Sequence, residues 1–153
     1  MGLFSFINGV GTKLFGKKEV EAPAAEKAKL KASALLNYVK GLGLDYKSII
    51  ITLRGDDVVL TGVVANQADS EKIVLAIGNV EGVDTVDNQM TVKAPAPESR
   101  YHTVEKGDWL SKIAEKYYGD AKKFNVIFEA NKPMLSDPDK IYPGQVLRIP
   151  NLA

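Results

Sequence analysis

Leu3, Phe4, Ile7, Val10, Leu14 and Phe15 recur at helical spacing, which predicts a short amphipathic helix over residues 1–16. Gly9 and Gly11 weaken that helix by about 1 kcal/mol each relative to alanine, so it needs a surface for its apolar stripe. The next domain is the expected surface, and the glycines would permit a bend that exposes carbonyls around residues 7–12. A charged stretch broken by Pro23, residues 17–25, follows as a linker. The pattern then predicts a helix over 24–40, with Leu30, Ala34, Leu35, Tyr38 and Val39 on its buried side and Gly41 and Gly43 as its stop. Residues 48–53 and 58–64 read as two strands of a hairpin turning at Gly55-Asp56-Asp57. Asn66 or Asp69 can cap a second helix running to residue 77, with Ile73, Val74 and Ile77 inward. A last strand over 83–92 carries Val83, Val86, Met90 and Val92 in imperfect alternation.

Between that helix and that strand lies Ile77-Gly78-Asn79-Val80-Glu81-Gly82-Val83, around which the first domain is organised. Gly78 and Asn79 are residue types that end a helix in a left-handed cap. The last four carbonyls of a helix have no partner within it and sit at the negative end of its dipole. Two answers are open for them: a Schellman cap with water, or a bound cation.

Ala94-Pro95-Ala96-Pro97-Glu98-Ser99 is a second linker, spanning 94–100 and stiffened by its prolines. A different unit follows over 101–150. Tyr101-His102-Thr103-Val104 reads as a strand, Lys106-Gly107-Asp108 as a turn, and Trp109-Leu110 as the start of a helix capped by Asp108. A second helix carries Phe124, Ile127 and Phe128, and Pro143-Gly144-Gln145 turns into a closing strand.

Composition narrows the chemistry. With no cysteine there is neither a disulfide framework nor a thiolate metal site, and the single histidine, His102, cannot build a multi-histidine one. The formal charge of +1 is spread evenly over both halves, so no basic footprint for nucleic acid exists. The first residues lack the basic region of a signal peptide, Phe6 stands where a myristoylation site wants Ser or Thr, and no window has the length of a membrane span. A cytoplasmic location is expected. Asp56-Asp57 and Asp137-Pro138-Asp139 read as turn carboxylates, and the Gly-x-Gly pairs at 9–11 and 41–43 lack the remainder of a dinucleotide fingerprint. No calcium loop is present. A binding protein is expected rather than an enzyme.

The order α-β-β-α-β, with Gly62 near the end of its second strand and Val80-x-Gly82-Val83-x-x-Val86-x-Asn88 closing it, resembles the BON domain over residues 25–93. Residues 101–150 are similar to a LysM module through Tyr101-x-x-Val104-x-x-Gly107-Asp108-x-Leu110, Ile127-Phe128-Glu129-Ala130-Asn131 and Pro143-Gly144-Gln145-x-Leu147-x-Ile149-Pro150. The fold class is thus expected to be α+β, with a β-α-α-β second domain. The LysM resemblance implies an N-acetylglucosamine glycan around Gly107, Asp108, Trp109 and residues 134–137, with Trp109 either core or sugar platform. The whole arrangement, N-terminal segment included, resembles a family of bacterial cytoplasmic potassium-binding proteins. That resemblance implies a monomer that binds K⁺ through backbone carbonyls of Ile7, Val10 and Thr12 with those of Gly78, Val80 and Val83. A cage of neutral carbonyls suits a weakly hydrated monovalent ion. The competing expectations are a peptidoglycan-binding protein of the cell envelope and a scaffold docking through its apolar first segment.

Overall fold

The structure is a computed structural model that describes residues 2–16 and 20–152. Met1 and residues 17–19, parts of the expected first helix and first linker, lie outside the described residues. The expected amphipathic helix does not form: Gly2–Ser5 make a strand, β1, and residues 6–16 run on without helix. Phe4 and Phe6 turn to the core while Leu3 and Ser5 turn outward, a period of two that overrides the helical spacing. Glycines make a helix here costly, whereas a sheet edge offers backbone partners to any strand laid against it.

Helix α1 (Ala24–Gly41) packs Lys31, Leu35 and Val39 inward, flanked by Ala28, Ala32 and Tyr38. Leu30 and Ala34, expected on that face, are half-buried because the inward stripe runs through 28, 31, 32, 35 and 39. Strands β2 (Tyr46–Arg54) and β3 (Asp57–Asn66) pair as the antiparallel hairpin. Asn66 caps α2 (Gln67–Gly78), its Oδ1 accepting the Asp69 N–H at 2.8 Å. The expected last strand is two: β4 (Thr85–Asn88) runs parallel to the first half of β3, and β5 (Thr91–Ala94) to its second half. The break falls where the Gln89 N–H turns to the Leu60 carbonyl and Asn88 Oδ1 takes the Met90 N–H. β1 adds antiparallel to β4, giving the order β1-β4-β3-β2 with β5 beside β3. The core beneath holds Leu35, Val39, Val58, Leu60, Ile73, Ile77, Val80, Val83 and Val86.

The second unit has its own core. Strands β6 (Arg100–Thr103) and β7 (Val146–Ile149) pair antiparallel, with α3 (Leu110–Tyr118), a 3₁₀ turn (Ala121–Lys123) and α4 (Phe124–Ala130) between them. Leu110, Ile113, Ile127, Leu147 and Ile149 fill the space between helices and sheet. Asp108 does not cap α3. Its Oδ2 accepts the Glu105 N–H and lies 2.9 Å from His102 Nε2, leaving Trp109 at the cap position. Among the described residues no helix is long and apolar enough to cross a membrane.

Helix α2 joins the two units. Near its start, buried Glu71 pairs with Arg148 of β7, Oε1 to Nε at 2.9 Å, while its Oε2 accepts from Gln67 and from the Ser99 N–H. The linker is therefore not idle: Ser99 is buried, and its Oγ accepts a bond from Arg148. Burial alone would raise the Glu71 carboxyl, but the Gln67 and Ser99 donors and the Arg148 charge outweigh it and hold the group below the usual carboxylate range.

Candidate cation site

The far end of α2 is where the N-terminal segment lands. The left-handed cap expected at Gly78 and Asn79 is absent: Asn79 has φ −81° and ψ 11°, its N–H bonds back to the Leu75 carbonyl, and the Val80 N–H bonds to that of Ile77. Gly78 is small for another reason. The Phe6 ring lies over it, and a Cβ added there would sit 2.0 Å from Phe6 Cζ. Gly11 makes the reciprocal approach with φ 122°, where a Cβ would meet the Asn79 carbonyl oxygen at 2.0 Å. Gly11 lets the two backbones touch, and Gly78 leaves room for the Phe6 ring.

Hydrogen bonds lace the contact. The Thr12 N–H donates to the Asn79 carbonyl at 2.8 Å, the Glu81 N–H to the Thr12 carbonyl at 2.9 Å, and the Gly82 N–H to the Asn8 carbonyl at 2.9 Å. Thr12 and Val80 form an isolated parallel bridge. Upstream, the Phe6 N–H donates to the Asp84 carbonyl, continuing the β1–β4 ladder. Residues 6–12 and 78–84 thus lie along one seam although some seventy positions separate them in sequence.

All six expected carbonyl positions fall on this seam. Ile7 accepts only a long 3.4 Å bond from Val10, Thr12 accepts from Glu81 and Leu14, and Val80 accepts from Val83. Among the described residues, no donor bonds to the carbonyls of Val10, Gly78 or Val83. Each carbonyl has two lone pairs, so Ile7 and Val80 retain one, Thr12 has both engaged, and Val10, Gly78 and Val83 hold both of theirs. Gly78, Val80 and Val83 are buried, whereas Ile7 is 51% exposed and Thr12 is exposed. Unsatisfied carbonyls at a buried helix end are costly unless an ion or water meets them. Among the described residues no cluster of three or more His, Cys, Asp or Glu could hold a metal.

Several participants were not legible beforehand. Phe6 and Gly11 have the contacts just described, and Asn79 also holds the second unit. Its carboxamide exchanges two bonds with Val146 of β7, Nδ2 to the carbonyl at 2.8 Å and the Val146 N–H to Oδ1 at 2.9 Å. This copies a strand's edge pairing with one side chain. On the same side, Gly144 makes room for Val10 and Ile7: a Cβ there would lie 2.7 Å from Val10 Cγ2 and 3.3 Å from Ile7 Cδ1.

The second candidate region lies around Trp109. The ring is 54% exposed, not core, and Lys112 Nζ stands 4.3 Å from its centroid. It lines a cavity of about 490 Å³ with Leu110, Ser111, Phe124, Pro138 and Asp139. Of the positions expected to form this groove, Gly107 is exposed, Asp108 is engaged with His102, and Met134 faces the other way, its sulfur 3.3 Å from Asn79 Nδ2.

Comparison with known proteins agrees with this two-part architecture. Residues 24–94 match the BON domain and residues 102–150 the LysM domain. The chain is 43% identical over 151 residues to the potassium binding protein Kbp of Escherichia coli, covering 98% of this chain and 99% of that protein. It is also 35% identical over 133 residues to an uncharacterized protein of Deinococcus radiodurans, about half of whose length it spans. A shorter match, 40% over 58 residues, joins it to the uncharacterized protein YqbP of Bacillus subtilis.

Proposed function

Since this chain belongs to the family of the potassium binding protein Kbp, we propose that it binds K⁺ selectively through the main-chain carbonyls of Ile7, Val10, Thr12, Gly78, Val80 and Val83. The observation that carries this reading is the trio of Val10, Gly78 and Val83 carbonyls that take no donor among the described residues, on a seam built from two distant stretches. Neutral oxygens at the negative end of a helix dipole favour a cation without the charge density that a divalent ion rewards. In this reading the two stretches contribute oxygens from opposite sides of the seam, and the ion pins residues 6–12 to the turn at 78–83.

The protein acts in the cytoplasm as a K⁺ sensor and monomer: ion binding orders the first segment and, through Asn79 and Gly144, biases the docking of the LysM unit. Calorimetric titration of the alkali-metal-free protein with KCl, against NaCl at matched ionic strength, tests the reading. Saturable heat with K⁺ alone is expected, together with slower cleavage of residues 1–20 by protease when K⁺ is present. Equal heats, or equal cleavage with and without the ion, would overturn it.

One observation favours a second ligand. The exposed Trp109 beside an open cavity is the arrangement in which an aromatic face stacks on a sugar ring. We propose that this groove accepts an N-acetylglucosamine-containing glycan. Titration with chito-oligosaccharides should perturb Trp109 fluorescence irrespective of K⁺, and an unchanged spectrum would dismiss it.

A further inference from the structure

Beside the seam lies a charge arrangement that the carbonyl set does not use. Strand pairing brings Asp56, in the β2–β3 turn, next to Asp84, whose N–H donates to the Asp56 carbonyl at 2.8 Å. Neighbouring carboxylates repel each other and need donors beside them. Lys31 supplies one charge from α1: its Nζ is 3.5 Å from Asp56 Oδ1 and 5.0 Å from the Phe15 ring centre, and its side chain is 8% exposed. The other donor comes from the N-terminal segment. Asn8 Nδ2 lies 2.7 Å from Asp84 Oδ1 and 3.3 Å from Asp56 Oδ2, while the Asn8 carbonyl accepts the Gly82 N–H. Asn8 is thus held at both its side chain and its backbone. Its neighbour Ile7, and Val83 beside Asp84, are two of the proposed carbonyl positions.

We propose that Asn8 is a positioning residue: its carboxamide is a clasp that bridges Asp56 and Asp84 and so seats residues 6–12 on the turn before any ion arrives. The clasp deepens the K⁺ reading and rests on it for its effect on affinity, but its mechanical part stands apart from the ion. A carboxamide suits the place because it offers donors without charge. An aspartate of the same shape would add a third carboxylate and push the segment away. An alanine would only leave Asp84 and Asp56 to Lys31 and water.

The test compares the full-length chain with Asn8→Ala, Asn8→Asp, Asp84→Asn and the exchanged pair Asn8→Asp with Asp84→Asn. Hydrogen exchange at the Phe6, Thr12 and Gly82 amides is read without K⁺, with the His102 and Leu147 amides of the second unit as an internal control of folding. Loss of a hydrogen bond to a charged group corresponds to about tenfold faster exchange for Asn8→Ala and more for Asn8→Asp. The exchanged pair should recover part of the loss, because an amide again faces a carboxylate across the same gap. A residue that only fills space would tolerate Asn8→Asp and would gain nothing from the exchange. Protection in Asn8→Asp equal to the parent, or no recovery in the pair, overturns the clasp. A K⁺ titration of the same proteins should weaken in the same order. If the parent takes up no K⁺ while exchange still follows the order, the clasp stands and the potassium reading falls.

Discussion

The two ends of α2 hold their neighbours by opposite means. At Glu71 the LysM unit is fastened by a buried ion pair, Glu71 to Arg148, surrounded by Gln67, Ser99, Asn131 and the Ala130 carbonyl. At Gly78 the N-terminal segment is fastened mainly by backbone bonds, by the close approach at Gly11 and by the Phe6 ring over Gly78, with the uncharged Asn8 carboxamide bridging Asp84 and Asp56 beside them. A charged fastening stands or falls with its partner, since desolvated charge left alone is expensive. A backbone fastening leaves oxygens over, and those are what a cation can use. The difference is why the proposed carbonyl cage is placed at the second junction and not at the first.

The comparison can be broken most forcefully at the first junction. Glu71→Ala leaves Arg148 buried without its carboxylate and should cost about 3–5 kcal/mol, read as a lower melting temperature, whereas replacing both partners by apolar residues of similar volume should recover much of it. At the second junction, Gly78→Ala drives a methyl into the Phe6 ring and should cost about 1–3 kcal/mol of segment docking, seen as protease access to residues 1–20 and at least a tenfold weaker K⁺ titration. Phe6→Ala added to it should relieve the clash without restoring affinity. Asn79→Ala lies between the two junctions, for it removes both bonds to Val146 and should cost about 1–3 kcal/mol with loss of protection at the Val146 amide.

Acid sharpens the contrast. Glu71 binds its proton more weakly folded than unfolded, so its contribution is present above the ordinary value of 4.5 and is lost as pH falls through the lower folded value. Melting curves in that acid range should show the LysM contacts weakening, monitored at the Ser99 and Arg148 amides. The smallest effect belongs to Trp109→Ala. Its ring is more than half exposed, so stability should change by less than about 1 kcal/mol while any response to chito-oligosaccharide disappears.

Much of the architecture was legible because each element has its own signal: the hairpin in the alternation around Gly55, the α2 cap in Asn66, and both domain motifs in runs of named residues. The first segment was misread because Leu3, Phe4, Ile7 and Val10 fit a helix and its edge-strand use depends on β4, some eighty residues away. Gly78 was rightly singled out for the wrong cause. A glycine needed for a ring overhead and one needed for a left-handed turn look identical in sequence, and only Phe6 tells them apart. The charged junction left no trace, since Glu71 and Arg148 are ordinary surface residues until the fold brings them together. Lys31 was hidden in the same way, a lysine on a helix stripe that otherwise reads as alanine and leucine.

Strand β1 has a consequence of another kind. By pairing with β4 it covers what would otherwise be a free sheet edge of four residues, Thr85–Asn88, with β2 left at the opposite side. An uncovered edge is a template for a strand from another molecule. Whatever unseats the first segment therefore also exposes a self-association surface, and the solubility of the protein becomes tied to how firmly residues 2–12 are held on the sheet and the turn.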